Sequence, residues 1–195
     1  MRAVGIILAG GNSRKMKELT SRRAAAAMPV AGSYRAIDFT LSNMTNSHIQ
    51  KVAVLTQYNA RSLNEHLNSS KWWDFGRKQG GLYVFTPTIT DDNGYWYRGT
   101  ADAIYQNLDF LRRCHEPYVI ITSGDAVYKM DYNKVLEYHI AKKADITVIT
   151  YQQTGCLNTT QIVVCRHAAD MVTFPLNRDN REFIRSKFFR RNGIA

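Results

Sequence analysis

The chain has 195 residues, of which 45% are hydrophobic, and its formal net charge is +10 at pH 7. This length supports one sizeable hydrophobic core and the start of a second unit, as in a globular protein. The positive charge favours anionic partners such as nucleotides, sugar phosphates or nucleic acid, or it is only a basic surface. The N-terminal apolar run is too short for a secretory signal or a membrane span, so we expect no membrane association.

The cysteines and the first motif narrow these possibilities. Three cysteines without metal-ligand spacing predict a reducing, cytoplasmic environment.

Residues 3–9 form a continuous apolar run, which predicts a strand buried on both faces. Gly10 and Gly11 follow, and then a loop with Arg14 and Lys15. Paired glycines let a backbone approach a phosphate without Cβ obstruction, although most such pairs are simple turns.

Apolar runs then alternate with helical segments along the chain. Such alternation predicts right-handed βαβ crossovers, and therefore an α/β fold with a mostly parallel sheet in three layers. The predicted strands cover residues 51–56, 80–86, 118–122 and 144–150. The predicted helices cover residues 38–49, 60–67, 101–113 and 132–142.

Polar residues at the ends of two of these elements predict a ligand site. Asp125 follows the strand at 118–122, and open α/β sheets bind ligands beyond the carboxyl ends of their strands. A carboxylate there is a natural Mg²⁺ ligand when phosphates are near; the alternative is an Asp that caps the next turn. Gly99 and Thr100 open the helix at 101–113, as in an anion or base-edge site or a simple cap.

The character of the chain changes after residue 150. Residues 151–195 carry seven Lys and Arg against three Asp and Glu, and they show no clear βα unit. A short strand is plausible at 161–165. We therefore divide the chain into a domain at 1–150 and a basic tail at 151–195, which we expect to be exposed or poorly ordered.

Six segments of the first 150 residues resemble one family in the same order. They are LAGG at 8–11, ELTSRRA at 18–24, YRAIDFTLSNMTNS at 34–47, LTQY at 55–58, WYRGTADAIYQN at 96–107 and SGDAVYKMDY at 123–132. Together they resemble the N-terminal half of ADP-glucose pyrophosphorylase, that is, glucose-1-phosphate adenylyltransferase. The resemblance implies a Rossmann-like nucleotidyltransferase fold. It also implies the conversion of ATP and glucose 1-phosphate to ADP-glucose and pyrophosphate, in glycogen or starch synthesis.

The resemblance also implies roles for particular residues. Tyr97 would face the sugar phosphate, and Asp125 would hold the Mg²⁺ that bridges the phosphates. The implied nucleotide contacts are Leu8, Ala9, Gly10, Gly11, Gly99 and Thr100. The implied effector-linked positions are Gln57 and Trp96, on loops between the effector and nucleotide sites, and the basic residues Arg23, Arg35 and Arg113.

The chain departs from the family pattern where phosphates are handled. The family reads GGxGTRL in the first loop, whereas this chain reads GGNSRKM, with Ser13 in place of the second glycine. Lys15 replaces the catalytic Arg and loses the planar fork that holds two phosphate oxygens. The family's RAKPAVP reads RAAAAMP here, so Ala25 replaces a phosphate-binding Lys and Ala26 a Pro.

These departures resemble the non-catalytic, regulatory subunit that pairs with a catalytic subunit in some glycogen-synthesising enzymes. We therefore predict a truncated N-terminal portion of such a subunit, without the C-terminal β-helix and weak or inactive alone. One alternative is an active adenylyltransferase with an altered phosphate loop. Another is a non-catalytic nucleotide- or RNA-binding module, although no nucleic-acid motif is present. A dehydrogenase is disfavoured because the glycine turn does not follow G-x-G-x-x-G.

Overall fold

A computed structural model describes residues 2–11, 14–68, 73, 75, 80–88, 96–153 and 156–166. Two 3₁₀ segments, Arg14–Thr20 and Ala25–Ala27, lie between the first two strands. The strands are β1 (Ala3–Leu8), β2 (Pro29–Val30), β3 (Tyr34–Arg35), β4 (Lys51–Leu55), β5 (Gly81–Phe85), β6 (Tyr118–Ser123), β7 (Ile146–Gln153) and β8 (Cys156–Arg166). The helices are α1 (Ala36–Asn46), α2 (Arg61–Leu67), α3 (Thr100–Gln106), α4 (Leu108–Arg113) and α5 (Tyr132–Ala141).

Six of the strands form one sheet in the order β5-β4-β1-β6-β8-β7. Strand β1 is central and pairs in parallel with β4 and β6, and β4 pairs in parallel with β5. The chain moves outward from β1 to β5 and then returns to β6 on the other side of β1. This reversal of strand order leaves a crevice beyond the carboxyl ends of β1 and β6. The predicted α/β fold with a mostly parallel sheet is confirmed.

The alternation of side chains along β1 explains the three layers. Ala3 and Ile7 pack in the core cluster that contains residues of α1, α2 and α5. Val4 and Ile6 pack in a second cluster, which contains residues of α3 and α4. Successive side chains of a strand point to opposite faces, so a strand that is apolar throughout is buried on both. The sheet therefore lies between two helix layers, as predicted.

Two predicted helices differ from the observed ones for local reasons. The helix predicted at 38–49 begins at Ala36, since the carboxylate of Asp38 accepts a hydrogen bond from the Arg35 backbone N–H (2.8 Å). Asp38 therefore caps the helix from its third position. The helix predicted at 101–113 is two helices that meet at Asn107. The Nδ2 of Asn107 donates to the Ala103 carbonyl (2.8 Å) and to the Tyr97 hydroxyl (3.0 Å).

The sheet continues past residue 150, where the sequence analysis placed a boundary. Strand β7 crosses that residue, and β8 lies antiparallel between β6 and β7. The strand predicted at 161–165 is therefore part of a longer strand within the main sheet. Residues 167–195 of the predicted tail lie outside the described residues. Within the described ranges, no helix has the length and apolarity needed to cross a membrane.

Candidate functional site

A cavity of about 360 Å³ opens in the crevice beyond β1, β4 and β6. Its walls come from the segments that follow these strands, from Ala25 and Ala26, and from the start of α3. The position is the one at which doubly wound α/β sheets bind nucleotides. Besides Ala25 and Ala26, nine residues with a role implied by the family resemblance line it together: Leu8, Ala9, Gly10, Gly11, Gln57, Tyr97, Gly99, Thr100 and Asp125.

The glycine turn after β1 forms the first wall. The backbone N–H of Ala9 donates to the Leu55 carbonyl (2.9 Å), so β1 stays attached to β4 up to the turn. A Cβ atom at Gly10 would lie 3.1 Å from the Cβ of Gln57, which leaves little room for a side chain. A Cβ atom at Gly11 would have no neighbour within 4 Å. The backbone of Gly11 is therefore open to a ligand, as the Gly-Gly pair predicts.

The segment after β6 forms the second wall, which we call the β6 wall (Ser123, Gly124 and Asp125). The N–H of Gly124 donates to the Leu8 carbonyl (2.9 Å) and ties this wall to β1. A Cβ atom at Gly124 would lie 3.1 Å from Ile7 and 3.3 Å from each of Ala9 and Ala26. Only a residue without a side chain fits there without displacing these neighbours.

Asp125 is exposed to the cavity, and the Ser123 hydroxyl donates a hydrogen bond to its carboxylate. This donor set suits Mg²⁺, because Mg²⁺ takes one or two carboxylates and completes its coordination with water and substrate phosphates. The described side chains contain no cluster of three or more His, Cys, Asp or Glu that could hold a metal by themselves. Asp125 could therefore hold a Mg²⁺ ion that arrives with a nucleotide.

Tyr97 forms part of a third wall with the start of α3. Its ring is buried against the core, and its hydroxyl accepts the hydrogen bond from Asn107 (3.0 Å). Burial raises the pKa of the Tyr97 phenol, so this group stays protonated at neutral pH. The adjacent Arg98 has its backbone N–H held by the Asp102 carboxylate (2.8 Å). Tyr97 is thus fixed in orientation before any ligand binds.

We call Ala25 and Ala26 the alanine wall. Both line the cavity, and both are buried. They present only methyl groups where the family pattern has a Lys and a Pro. Lys15 lies in the 3₁₀ segment Arg14–Thr20, and its side chain is outside the described ones, as is the whole of Ser13.

Of the five residues predicted to serve effectors, Gln57 lines the cavity, and Trp96, Arg23, Arg35 and Arg113 do not. Trp96 is exposed and stacks on Tyr58, which does line the cavity, with ring centroids 5.3 Å apart. The guanidinium of Arg35 donates to the carbonyl and the hydroxyl of Ser62, and so ties α1 to α2. Arg23 and Arg113 are both exposed and do not line the cavity.

Five other residues, without a role predicted from the sequence, also line the cavity: Leu55, Tyr58, Arg98, Ala103 and Ser123. Each lies within one of the recognised segments LTQY, WYRGTADAIYQN and SGDAVYKMDY. Their position within a recognised motif could therefore have identified them, because a segment that lines a cavity contributes neighbouring residues as well as the most distinctive ones.

The chain matches known proteins over the same region. Glucose-1-phosphate adenylyltransferase of Clostridium novyi is 47% identical over 145 residues, covering 74% of this chain and 38% of that relative. The enzyme of Thermosipho africanus is 49% identical over 145 residues, covering 74% and 35%. That of Geobacillus stearothermophilus is 44% identical over 147 residues, covering 75% and 38%. This chain thus spans between 35% and 39% of the length of the curated relatives it matches.

These matches confirm the resemblance of the N-terminal segments to glucose-1-phosphate adenylyltransferases. A family model described as nucleotidyl transferase matches residues 4–157, which extends from the second residue of β1 into β8. The chain therefore belongs to the nucleotidyl transferase family.

Proposed function

We propose that the cavity binds an adenine nucleotide, ATP or ADP-glucose, as the nucleotide half of a glucose-1-phosphate adenylyltransferase site. One observation carries this proposal: nine residues from four separate sequence segments, each with a role implied by the family resemblance, line one cavity. In the complete reaction, ATP and glucose 1-phosphate give ADP-glucose and pyrophosphate. The open backbone at Gly11 suits the phosphates, and Gly99 and Thr100 would border the base.

Asp125 is the residue we assign to Mg²⁺. When bound, the ion would neutralise charge on the phosphates of the nucleotide. The protein's own contribution is to present the carboxylate at the edge of the cavity, oriented by the Ser123 hydroxyl. Tyr97 closes the opposite side with a fixed ring, which we assign to the sugar phosphate.

We further propose that the chain is of the regulatory type, with weak or no catalysis alone. The support is the alanine wall, which is buried, neutral and apolar beside the phosphate side of the cavity. Loss of each charge-assisted contact to the triphosphate removes about 2–4 kcal/mol of transition-state stabilisation. Ala25 and Lys15 represent two such losses. The expected partner is a catalytic subunit of the same family in a hetero-oligomer.

The test of nucleotide binding is calorimetric titration with ATP, in Mg²⁺ and in EDTA. We expect binding that Mg²⁺ strengthens, and we expect Asp125→Asn to abolish the strengthening. Asp131→Asn is the matched control, because Asp131 is an acid of the same loop whose carboxylate caps α5 through the Asn133 N–H (3.0 Å). Absence of ATP and ADP-glucose binding in the unaltered chain would contradict the proposal.

The test of the regulatory assignment is pyrophosphate release, measured for the chain alone and after co-expression with a catalytic glucose-1-phosphate adenylyltransferase subunit. We expect co-purification and altered activity of the partner, with no release by the chain alone. Pyrophosphate release by the chain alone, abolished by Asp125→Ala, would instead establish the active alternative.

A further inference from the structure

Helix α1 and its C-cap residue Ser47 carry a stripe of three buried polar side chains toward the loop that bears Asp125. Thr40, Asn43 and Ser47, at relative exposures of 0%, 4% and 1%, follow one another by three and four residues. Residues at this spacing share one face of a helix. We call them the polar stripe. Buried polar groups are stable only when they are hydrogen-bonded, so their partners show what the stripe is for.

All partners of the polar stripe lie in residues 123–132. The Thr40 hydroxyl donates to the Ser123 carbonyl (3.1 Å), at the start of this segment. The Ser47 hydroxyl accepts from the Tyr132 N–H (2.9 Å), at its end. The stripe therefore holds both ends of the loop between β6 and α5.

Asn43 holds the middle of the loop with both halves of its amide. Its Nδ2 donates to the Tyr128 carbonyl (3.0 Å), and its Oδ1 accepts from the Met130 N–H (3.2 Å). These backbone groups lie in a segment without helix or strand, so the amide of Asn43 takes the place of secondary structure there. A side chain of another shape or polarity would not satisfy both groups.

A chain of hydroxyl groups closes the base of the same loop. The Tyr128 hydroxyl shares hydrogen bonds with the hydroxyls of Thr122 (2.6 Å) and Tyr132 (2.7 Å). Thr122 and Tyr132 are both completely buried, so the loop is anchored to β6 as well as to α1. Asp125 lies between these anchors and is itself exposed.

We propose that Asn43 is a positioning residue for Asp125, which acts by holding the backbone of residues 124–131 so that the carboxylate faces the cavity. The inference rests on the proposed role of Asp125 toward Mg²⁺ and nucleotide. Asn43 does not line the cavity, so it acts only through the loop. The segment at 39–47, part of the recognised motif at 34–47, packs Leu41 and Met44 into the core and thereby gains a second role through its polar positions.

The same helix offers a matched control. The Thr45 hydroxyl donates to the Trp73 carbonyl (3.0 Å), which is also a bond from an α1 side chain to the backbone of a distant residue. Thr45 and Trp73 do not line the cavity. Thr45→Ala should therefore remove one side-chain hydrogen bond of the same helix without changing Asp125.

The experiment compares Asn43→Ala with Thr45→Ala by two readouts. The first is hydrogen–deuterium exchange of residues 124–131, which should be about fivefold to tenfold faster in Asn43→Ala and unchanged in Thr45→Ala. The second is the gain in ATP affinity that Mg²⁺ produces. That gain should fall about fivefold in Asn43→Ala, whereas ATP affinity in EDTA should stay within about twofold.

The outcomes separate this inference from the proposed function. Equal exchange and equal Mg²⁺ gain in the two variants would overturn the positioning role. If the unaltered chain binds no nucleotide, the proposed function fails, and the exchange comparison alone still decides whether Asn43 holds the loop. Should Asn43→Ala not fold, Ser47→Ala removes a single bond of the same stripe and must accelerate exchange near Tyr132 for the inference to stand.

Discussion

The β6 wall and the alanine wall face the same cavity but are built in different ways. The β6 wall presents a carboxylate, and a buried network of hydrogen bonds from α1 orients its backbone. The alanine wall presents methyl groups and is held by burial and by local backbone bonds, such as the one from the Met28 N–H to the Ala25 carbonyl (3.1 Å). If the proposed function holds, the shape of the nucleotide site and its phosphate chemistry are separable properties, because alanines keep the wall closely packed without supplying charge.

The two walls also touch, which limits how either can change. A Cβ atom at Gly124 would lie 3.3 Å from the Cβ of Ala26, which is closer than an ordinary contact between two such atoms. A small residue at 26 is therefore compatible with the β6 wall, whereas the cavity side of Ala25 is open to a longer side chain. The following variants test this contrast.

The largest effect is expected from restoring charge to the alanine side. Ala25→Lys together with Lys15→Arg should tighten ATP binding about 100-fold or more, because each restored group makes charge-assisted hydrogen bonds to phosphate. Calorimetric titration in Mg²⁺ measures the change. Ala25→Met with Lys15→Arg is the control, since methionine has similar length without charge. A gain as large with Met would show that the missing charge at 25 is unimportant.

The next effect tests the packing of the β6 wall. Gly124→Val should lower the free energy of unfolding by about 1–3 kcal/mol, because its side chain must displace Ile7, Ala9 and Ala26. Urea denaturation measures it. Gly11→Val is the control and should leave stability within about 0.5 kcal/mol, since its Cβ meets nothing, while it weakens ATP binding. Equal stability of the two variants would contradict the close contact between the walls.

The pH dependence of stability probes the sheet behind the β6 wall. Burial raises the pKa of the Cys165 thiol from its ordinary 9.0 to about 12. The native state therefore keeps this proton when the unfolded state loses it, so stability falls as pH rises from about 9 toward about 12. Between pH 8 and pH 10 the loss from this thiol should be about 1 kcal/mol, measured by urea denaturation under reducing conditions. The Cys165→Ala variant lacks this thiol, so its free energy of unfolding should fall less between pH 8 and pH 10 than that of the unaltered chain.

The smallest effects separate structural from exposed arginines. Arg35→Ala should lower the free energy of unfolding by about 1 kcal/mol, because it removes the bonds to Ser62. Arg113→Ala should change it by less than about 0.5 kcal/mol, because this side chain is exposed. Thermal denaturation of both variants is the measurement. A larger loss at Arg113 than at Arg35 would contradict the assignment of Arg35 as a tie between α1 and α2.

The strands and most of the lining residues of this site could be predicted from the sequence, whereas the hydrogen bonds that hold its loop in place could not. The strand at residues 3–9 could be predicted because a strand buried on both faces is a continuous apolar run. The role of Asp125 could be predicted because a carboxylate directly after such a run lies at the ligand-binding end of the sheet. The polar stripe could not be predicted, because the partners of Asn43 lie more than eighty residues away and its sequence context is that of an ordinary exposed helix residue. The break at Asn107 was missed for a similar reason: its amide is satisfied by Tyr97, ten residues away.

The later strands were the least predictable part of the fold. Strand β8 pairs with β6, whose partner residues lie more than forty residues earlier in the sequence, and with β7, whose partner residues lie between 3 and 19 residues earlier. Antiparallel pairing of this kind depends on which sheet edge is left available, which no local pattern records. The basic composition of residues 151–195 predicted a tail. Residues 156–166 instead form a strand, because the edge of β6 was available for pairing.

The position of β8 has a consequence for how the chain is made. During synthesis β6 emerges before β8, so its outer edge remains without its final neighbour until residue 166 has left the ribosome. A buried apolar strand with an open edge is the kind of surface that pairs with other chains. The nascent protein is therefore most vulnerable to aggregation in the interval between α5 and β8, and a holdase would protect it most effectively there.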